Sequence, residues 1–237
     1  MEFFTYNVIL PDGKPTNPHL PPHHEASQTQ AVLRTLKLLY GDTITQRSIA
    51  DLGCSEGAYA LEFAKLGMKS LGVEARDTSI ARCEYLKFQF QLGNLWYAKD
   101  DVRNIENYGS FDAIFCCGLL YHLDKPVEFL KKLAGISKTL ILQTHYSTHF
   151  TNPYGCGKMV EHEGVIGRWK PDPPESTAWA AIGNTESVWI EKRHLVQTLK
   201  DAGYDIVYEQ YDFLDNVVTN NYIQDHDRSL FVATKLV

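Results

Sequence analysis

Apolar and polar positions along this chain predict strands and helices that follow one another in turn. Short apolar runs at residues 49–52, 71–73, 95–98, 111–117 and 139–144 have the length and composition of buried strands. Between these runs, apolar residues recur three or four positions apart, which predicts helices that bury one face. The segment 77–79 and Asp124 are the predicted N-caps of two of these helices, the second with Pro126 in its first turn. A further helix is expected over 25–40, before the first strand. This alternation predicts an α/β fold with a doubly wound, mostly parallel sheet.

The stretch from Ser48 to Glu74 has the general form of an adenosine-binding half-site. Its first strand ends at Gly53, a turn runs to Gly57, a helix follows, and the second strand ends at Glu74. Small residues in such a turn let a ligand approach the backbone, and the helix N-terminus offers N–H groups to an anion. An acid about 20 residues after the glycine turn can accept hydrogen bonds from ribose. The structural alternative is an ordinary strand–turn–helix in an α/β core.

The glycine turn distinguishes between cofactor classes. Its order Asp51-x-Gly53-x-x-x-Gly57 lacks the G-x-G-x-x-G of dinucleotide enzymes. It resembles the first motif of the class I S-adenosylmethionine (SAM)-dependent methyltransferases, commonly D-x-G-x-G-x-G. Ser55 stands where the middle glycine is usual, which predicts tighter limits on its backbone. The resemblance implies SAM as cofactor and S-adenosylhomocysteine (SAH) as product, held by Asp51, Gly53, Cys54, Ser55, Gly57, Glu74 and Ala75.

An acidic pair follows the third predicted strand. In the resembling family, an acid followed by an apolar residue at this strand end contacts the adenine amino group and ring face. Asp101 and Val102 match that pattern, and Asp100 is the alternative in register. A solvated acidic turn is the structural alternative.

A second resemblance lies between Phe111 and Pro126, in the pattern Phe-Asp-x-apolar-Gly-Leu-Leu-Tyr-His-Leu-x-x-Pro. It is similar to a branch of these methyltransferases that includes bacterial small-molecule enzymes and tRNA wobble-uridine carboxymethyltransferases. The two resemblances together extend over about residues 48–145. They imply that the backbone at Cys117 and Gly118 holds the methionine part of SAM, and that the ligand lies over the carboxyl ends of the strands.

The tyrosine–histidine pair after the fourth strand supplies the candidate catalytic residues. By resemblance, Tyr121 and His122 face the transferring methyl group. Histidine titrates in the range that suits a general base, so His122 is our first candidate and His145, after the fifth strand, the second. Tyr121 would orient the acceptor or contact the sulfonium of SAM. Each of the three has the alternative of a hydrogen-bonded wall residue.

Residues 145–186 interrupt the alternation with a glycine-, proline- and aromatic-rich stretch, for which the sequence predicts no regular structure. We expect it to cover the substrate, with the alternative of a packed decorative lobe. Its candidate substrate-binding residues are Tyr146, Glu163, Arg168 and Trp169. No metal site is predicted, because no helical periodicity supports the potential ligands His145, His149, Cys156, His162 and Glu163.

The predicted organisation is an N-terminal arm and capping helix over 1–45, and a SAM-binding methyltransferase domain over 46–237 with an insertion at 145–186. A helix over 187–203 and two final strands over 204–213 and 230–236, the last reversed in a hairpin, would complete the seven-stranded, Rossmann-like sheet of the resembling family. The arm at residues 1–24 is expected to pack on the domain or to act as a lid, with His23 and His24 solvated rather than bound to a ligand.

Composition restricts the partners. The 237 residues carry a formal net charge of -6, which argues against a nucleic-acid partner. No apolar run reaches the ~20 residues of a membrane helix, and no signal peptide is evident. Five cysteines without a C-x-x-C pair fit reduced thiols, so we expect a cytoplasmic protein. Exposed apolar residues would allow a homodimer, although the sequence identifies no interface.

The sequence therefore predicts SAM-dependent methyl transfer to an oxygen or nitrogen atom of a small-molecule acceptor. One alternative is an RNA-modifying methyl- or carboxymethyltransferase. It is disfavoured by the charge and because Leu123 and Asp124 stand where the wobble-uridine branch usually has basic residues. A non-catalytic adenosine-ligand module is less favoured because the cofactor motifs are well kept. A nicotinamide oxidoreductase is less favoured because the chain lacks G-x-G-x-x-G.

Overall fold

The computed structural model describes residues 1–148, 157–172, 180, 182–210 and 228–236. Five α-helices lie within these ranges: α1 Ser27–Tyr40, α2 Ala58–Lys65, α3 Asp77–Phe90, α4 Pro126–Ile136 and α5 Lys192–Asp201. The first seven strands are β1 Ser48–Leu52, β2 Lys69–Glu74, β3 Leu95–Lys99, β4 Phe111–Cys117, β5 Ser137–His145, β6 Met159–His162 and β7 Val165–Pro171. The last three are β8 Glu186–Ile190, β9 Ile206–Gln210 and β10 Arg228–Thr234.

Seven strands form one sheet in the order β3-β2-β1-β4-β5-β10-β9. β2 pairs with β1 and β3 in parallel, while β10 is antiparallel to both β5 and β9. The prediction of a seven-stranded, mostly parallel, Rossmann-like sheet with a reversed last strand is confirmed. Parallel pairing brings the carboxyl ends of β1, β2 and β3 to one edge, where a ligand binds in open α/β sheets.

The described chain separates into two compact units, the first comprising residues 1–115 and the second the described residues from 116 onward. In the first unit, α2 is buried on nearly every side, because Ala58, Ala60 and Leu61 are fully enclosed. The arm packs into this core, with Phe3, Val8 and Leu10 in one cluster with residues of α2, α3 and β3. The prediction of a packed arm is thereby confirmed.

The second unit contains a feature that the sequence analysis missed. Residues 145–186 were predicted to lack regular structure, but β6, β7 and β8 form a three-stranded antiparallel sheet. The turn between β6 and β7 consists of Glu163 (φ 51°) and Gly164 (φ 79°), and positive φ at both central residues is the hairpin geometry that matches strand twist. The sequence feature that could have predicted this hairpin is a polar residue followed by glycine, Glu163 and Gly164.

Two helix starts also differ from prediction. α3 begins after Arg76, with no side-chain cap from the Asp77–Ser79 segment. α4 begins after Lys125 with Pro126 in its first turn, as expected, but Asp124 is not its cap. In addition, the predicted helical run at 187–203 starts with β8, so that α5 begins only at Lys192. Residues 211–213 of the predicted late strand lie outside the described residues.

Among the described residues, no helix is long and apolar enough to cross a membrane.

Candidate active site

The loop between β1 and α2 is a tight turn built on left-handed backbone positions. Gly53, Ser55 and Gly57 have φ of 65°, 51° and 83°. Glycine adopts this region without strain, whereas a serine there costs roughly 1 kcal/mol. The predicted restriction on the Ser55 backbone is thus confirmed. The Gly57 N–H donates to the Cys54 carbonyl at 2.8 Å, which closes the turn.

Close packing explains why Gly57 must be glycine. A Cβ atom there would lie 2.7 Å from the Tyr97 hydroxyl, which itself donates to the Gly57 carbonyl at 2.8 Å. Tyr97 extends from β3 beneath the loop and also leaves no room for a Cβ at Gly72. The loop is therefore held from below by a ring two strands away.

Glu74 occupies the expected place at the end of β2. Its two carboxylate oxygens accept the backbone N–H groups of Ser55 and Arg76, both at 2.9 Å. A carboxylate has about four lone-pair positions, so two remain for the hydroxyls of a ribose. This donor and acceptor set fits the adenosine part of SAM, and Glu74 also fixes the loop that would contact it.

Asp51 is buried, with 2 % of its surface exposed. Its carboxyl accepts the Ala60 N–H, at the first turn of α2, at 3.1 Å. Burial raises the pKa of Asp51 to about 8, with a smaller contribution from the negative charge of Glu74. Asp51 therefore joins the strand end to the helix start.

The acidic turn after β3 favours Asp101 over Asp100 as the predicted adenine contact. Asp100 accepts hydrogen bonds from Asn104 at 2.8 Å and Tyr108 at 2.9 Å, and these bonds hold the pKa of Asp100 below its usual value. The Oδ1 atom of Asp101 accepts the Arg103 N–H at 2.8 Å. Val102 follows with a buried side chain, so the predicted acid–apolar pair retains its register.

Glu56, inside the glycine turn, is a structural residue that sequence reasoning missed. Its buried carboxylate accepts the backbone N–H groups of Phe4, Thr5 and Tyr6 at 2.8, 2.9 and 3.1 Å. The Arg82 guanidinium lies 3.3 Å from the same carboxylate. The arm is thus tied directly to the loop. No local sequence pattern pairs residues about fifty positions apart.

In the second unit, Gln143 of β5 organises the end of β4. Its side-chain oxygen accepts from the Cys117 thiol and from the Arg228 guanidinium, both at 2.8 Å. Its backbone carbonyl accepts the Gly118 N–H at 3.0 Å, and Gly118 has φ of 68°. The cofactor roles implied for Cys117 and Gly118 stay predictions.

Tyr121, His145 and Trp189 form a compact set of rings in this unit. The imidazole of His145 stacks on Trp189 with centroids 4.5 Å apart, and Tyr121 meets His145 edge-on at 4.6 Å. Burial raises the pKa of Tyr121 to about 12, so its hydroxyl keeps its proton at neutral pH. Tyr121 is therefore a hydrogen-bond donor, which suits the orienting role predicted for it.

His122 has a carboxylate partner that sequence reasoning missed. Its Nδ1 atom lies 3.1 Å from Oδ1 of Asp172, whose side chain is fully buried, while 15 % of the His122 side chain is exposed. A carboxylate accepts hydrogen bonds, so Nδ1 would donate to Asp172, and in the neutral imidazole Nε2 would then present its lone pair. Asn184 donates to the His122 carbonyl at 2.8 Å. The pair has the geometry of an oriented general base.

The four predicted substrate-binding residues have different surroundings. Tyr146 is 2 % exposed and packs against Phe231, a core position rather than a surface one. Glu163 accepts the N–H groups of Val127 and Glu128, each at 2.8 Å, so it caps α4 in place of Asp124. Both side chains thus have structural contacts, and their predicted substrate-binding roles stay predictions.

Trp169 and Arg168 remain open to a ligand role. Trp169 is 37 % exposed and donates from its indole to Glu186 at 2.8 Å. Arg168 donates to the carbonyls of Gly157 and Thr148 at 3.3 and 3.4 Å. Both residues lie on β7.

The histidines outside the ring set have structural contacts. His162 lies 2.7 Å from the Asp124 carbonyl. His23, expected to be solvated, is buried between the rings of Tyr6 and Tyr59, and burial lowers its pKa to about 3. His149 and Cys156 lie outside the described residues. Among the described residues, no group of three histidine, cysteine or acidic side chains could hold a metal ion.

Residues 50–139 match the family described as a methyltransferase domain. In solved structures, the chain is similar to the N-terminal domain of EvdMO1, determined in the presence of SAH and D-fucose, with a TM-score of 0.70. That likeness covers 95 % of this chain and 88 % of the other at 23 % identity. Magnesium protoporphyrin IX methyltransferase from Synechocystis PCC 6803 with bound SAM has a TM-score of 0.57 at 14 % identity, over 89 % of this chain and 80 % of the other.

The fold, the glycine turn and the domain matched over residues 50–139 are similar to those of the class I SAM-dependent methyltransferases, whose cofactor is SAM. Among named relatives, it is similar to tRNA U34 carboxymethyltransferase of Campylobacter jejuni subsp. doylei, at 35 % identity over 47 % of this chain and 39 % of that protein. The corresponding protein of Campylobacter hominis is 36 % identical over 37 % of this chain and 31 % of its own length. The chain thus spans about a third of the length of these relatives.

Proposed function

We propose that this chain transfers the methyl group of SAM to an oxygen or nitrogen atom of a small-molecule acceptor. SAM supplies an electrophilic methyl group on its sulfonium. In the first unit, the glycine turn, Glu74 and the Asp101–Val102 pair would hold its adenosine part. The enzyme's contribution to such a displacement is mainly positioning and the exclusion of water.

The observation that carries the proposal is the His122–Asp172 pair. Asp172 fixes the imidazole so that Nε2 can take a proton from a hydroxyl or amine acceptor. Tyr121, whose ring lies 4.4 Å from that of His122, would donate a hydrogen bond to the acceptor. His145, held between Tyr121 and Trp189, would form part of the wall of the acceptor site. General-base assistance of this kind typically contributes about 10²- to 10⁴-fold in rate.

A second candidate is modification of RNA, by methyl or carboxymethyl transfer. It is favoured by the Campylobacter relatives, which are named for tRNA U34. The net charge of -6 weighs against it, because an RNA partner is bound largely through lysine and arginine. The EvdMO1 domain studied with D-fucose supports a small acceptor.

The test is transfer of labelled methyl from SAM, offered in parallel to a small-metabolite extract and to bulk unmodified tRNA. We expect label in the metabolite fraction, which would also yield a compound to identify. Label confined to tRNA would replace the first candidate by the second. Label in neither fraction, with extracts from several sources, would contradict both.

A further inference from the structure

One face of the β7–β8 ladder carries two cations. In the antiparallel register Arg168 lies opposite Trp189, and Lys170 lies opposite Ser187. Residues directly opposite each other project to the same face, as do alternate residues along a strand. The Lys170 ammonium lies 5.7 Å from the Trp189 ring centroid, in agreement with this placement. Within the described ranges, neither cation forms an ion pair with a carboxylate.

The same face has buried hydrogen-bond donors without partners. The Ser147 and Ser187 hydroxyls and the Nε atom of Arg168 are buried, and none has a hydrogen-bond partner in the described part of the chain. Ser147 bridges in parallel to Glu191, two positions beyond Trp189, so its side chain projects to this face as well. Buried polar groups are normally satisfied, and an unsatisfied one is costly. Three donors on one face indicate a ligand that presents acceptor oxygens.

The carboxylates on this face do not neutralise the two cations. Asp172 is engaged by His122 at 3.1 Å, and Glu191 lies 3.1 Å from the Arg193 guanidinium. Glu161 of β6, opposite Ile166, projects to the same face, so the two cations outnumber this one remaining carboxylate. Because Asp172 follows Lys170 by two residues, the cationic face and the oriented His122 are neighbours within the second unit.

We propose that this face binds an acidic group of the acceptor, a carboxylate or a phosphate of a small metabolite. Arg168 would supply a charge-assisted contact through Nε, the serine hydroxyls would donate to the remaining oxygens, and Lys170 would add its charge. This inference rests on the proposed function and adds the substrate class: a small organic acid or a phosphorylated compound. The methylated atom would lie on the His122 side of the acidic group.

Binding of simple anions tests the proposal without any methyl transfer. Inorganic phosphate and succinate would be titrated calorimetrically into the protein saturated with SAH, and into variants Arg168→Gln and Ser187→Ala. We expect saturable binding of one or both anions, weakened about tenfold or more in Arg168→Gln and about threefold in Ser187→Ala. Ser187→Ala removes a hydroxyl without a partner, so folding should not suffer. Lys158→Gln, an exposed lysine off this face, is the matched charge control and should bind both anions as the unchanged protein does.

Equal anion affinity in the unchanged protein and Arg168→Gln would overturn the proposal, as would the absence of saturable binding. A tRNA anticodon stem-loop, titrated in the same way, separates the sources of the phosphate. Binding about 100-fold tighter than inorganic phosphate, and lost in Arg168→Gln, would make the acceptor an RNA and overturn the small-acid assignment. Failure of the labelled-methyl assay leaves these titrations interpretable, so the two proposals fail separately.

Discussion

The glycine turn of the first unit and the β6–β8 sheet of the second unit differ in where their side chains find partners. In the turn, Ser55, Gly57 and Glu74 contact residues of the same strand–turn–helix–strand segment or the adjoining strand. At the β6–β8 sheet, Asp172 forms a hydrogen bond with His122, fifty positions away. Glu163 accepts hydrogen bonds from the first turn of α4, about thirty-five positions away. Glu56 is the exception in the turn, because it binds the backbone N–H groups of residues 4–6. A local motif therefore predicts most of the first region, whereas the second depends on contacts that no short pattern contains.

The largest expected effect of a substitution on stability at a fixed pH is in the turn, for Gly57→Ala. The new Cβ would require a left-handed backbone and would lie 2.7 Å from the Tyr97 hydroxyl. We expect a loss of about 3 kcal/mol in the free energy of unfolding, from backbone strain and overpacking together. Urea denaturation measures it. Gly135→Ala in α4, where nothing lies within 4 Å of the added Cβ, should instead be stabilising by about 0.5–1 kcal/mol. Similar losses of stability in both variants would show that the glycine turn tolerates a Cβ atom no worse than α4 does.

The second effect concerns Asp51, beneath the same turn. Burial raises its pKa to about 8, above its unfolded value near 4, so the folded state holds one more proton between these pH values. Stability should therefore fall as pH rises from about 5 to 8, by about 3–4 kcal/mol. Asp51→Asn should flatten this dependence in thermal or urea unfolding followed across pH.

Asp100→Asn is the control for that experiment. The pKa of Asp100 is lowered by its hydrogen bonds, so its contribution is lost only in acid, as pH falls below its unfolded value. If stability falls between pH 5 and 8 as steeply in Asp51→Asn as in the unchanged protein, Asp51 is not the cause of the pH dependence.

The third expected effect concerns the β6–β8 sheet and is tested with Glu163→Gln. Its carboxylate accepts two N–H groups at the start of α4, where the helix dipole favours a negative charge. We expect destabilisation by about 1 kcal/mol in urea unfolding. Glu161→Gln, on the exposed side of β6, should change stability by less than about 0.5 kcal/mol. Equal behaviour of the two variants would show that the long-range cap contributes nothing.

The smallest effect should come from Ser55→Gly. Glycine removes the left-handed strain at φ 51° but has more freedom in the unfolded chain, so the net gain should be about 0.5 kcal/mol. Ser110→Gly, at an exposed position without positive φ, should lose stability instead. A loss at Ser55 as well would mean that its backbone is not strained.

The sequence predicted the parallel sheet, its reversed last strand and the position of Glu74, because these follow from hydrophobic periodicity and a short-range motif. It also indicated His122. It did not indicate Asp172, since an aspartate in a polar stretch has no local feature that identifies its partner. The structural roles of Glu56 and Glu163 were missed for the same reason: each binds backbone N–H groups of a distant segment.

The most direct test of this account separates the two regions in one experiment, by combining labelled-methyl transfer with SAH calorimetry on Glu74→Ala and His122→Ala. Glu74→Ala should weaken SAH binding by about tenfold or more, because it removes the predicted ribose acceptor. His122→Ala should lower turnover by about 10²-fold or more while SAH affinity stays nearly unchanged. Undiminished turnover in His122→Ala would remove the His122–Asp172 pair from the mechanism and contradict the account.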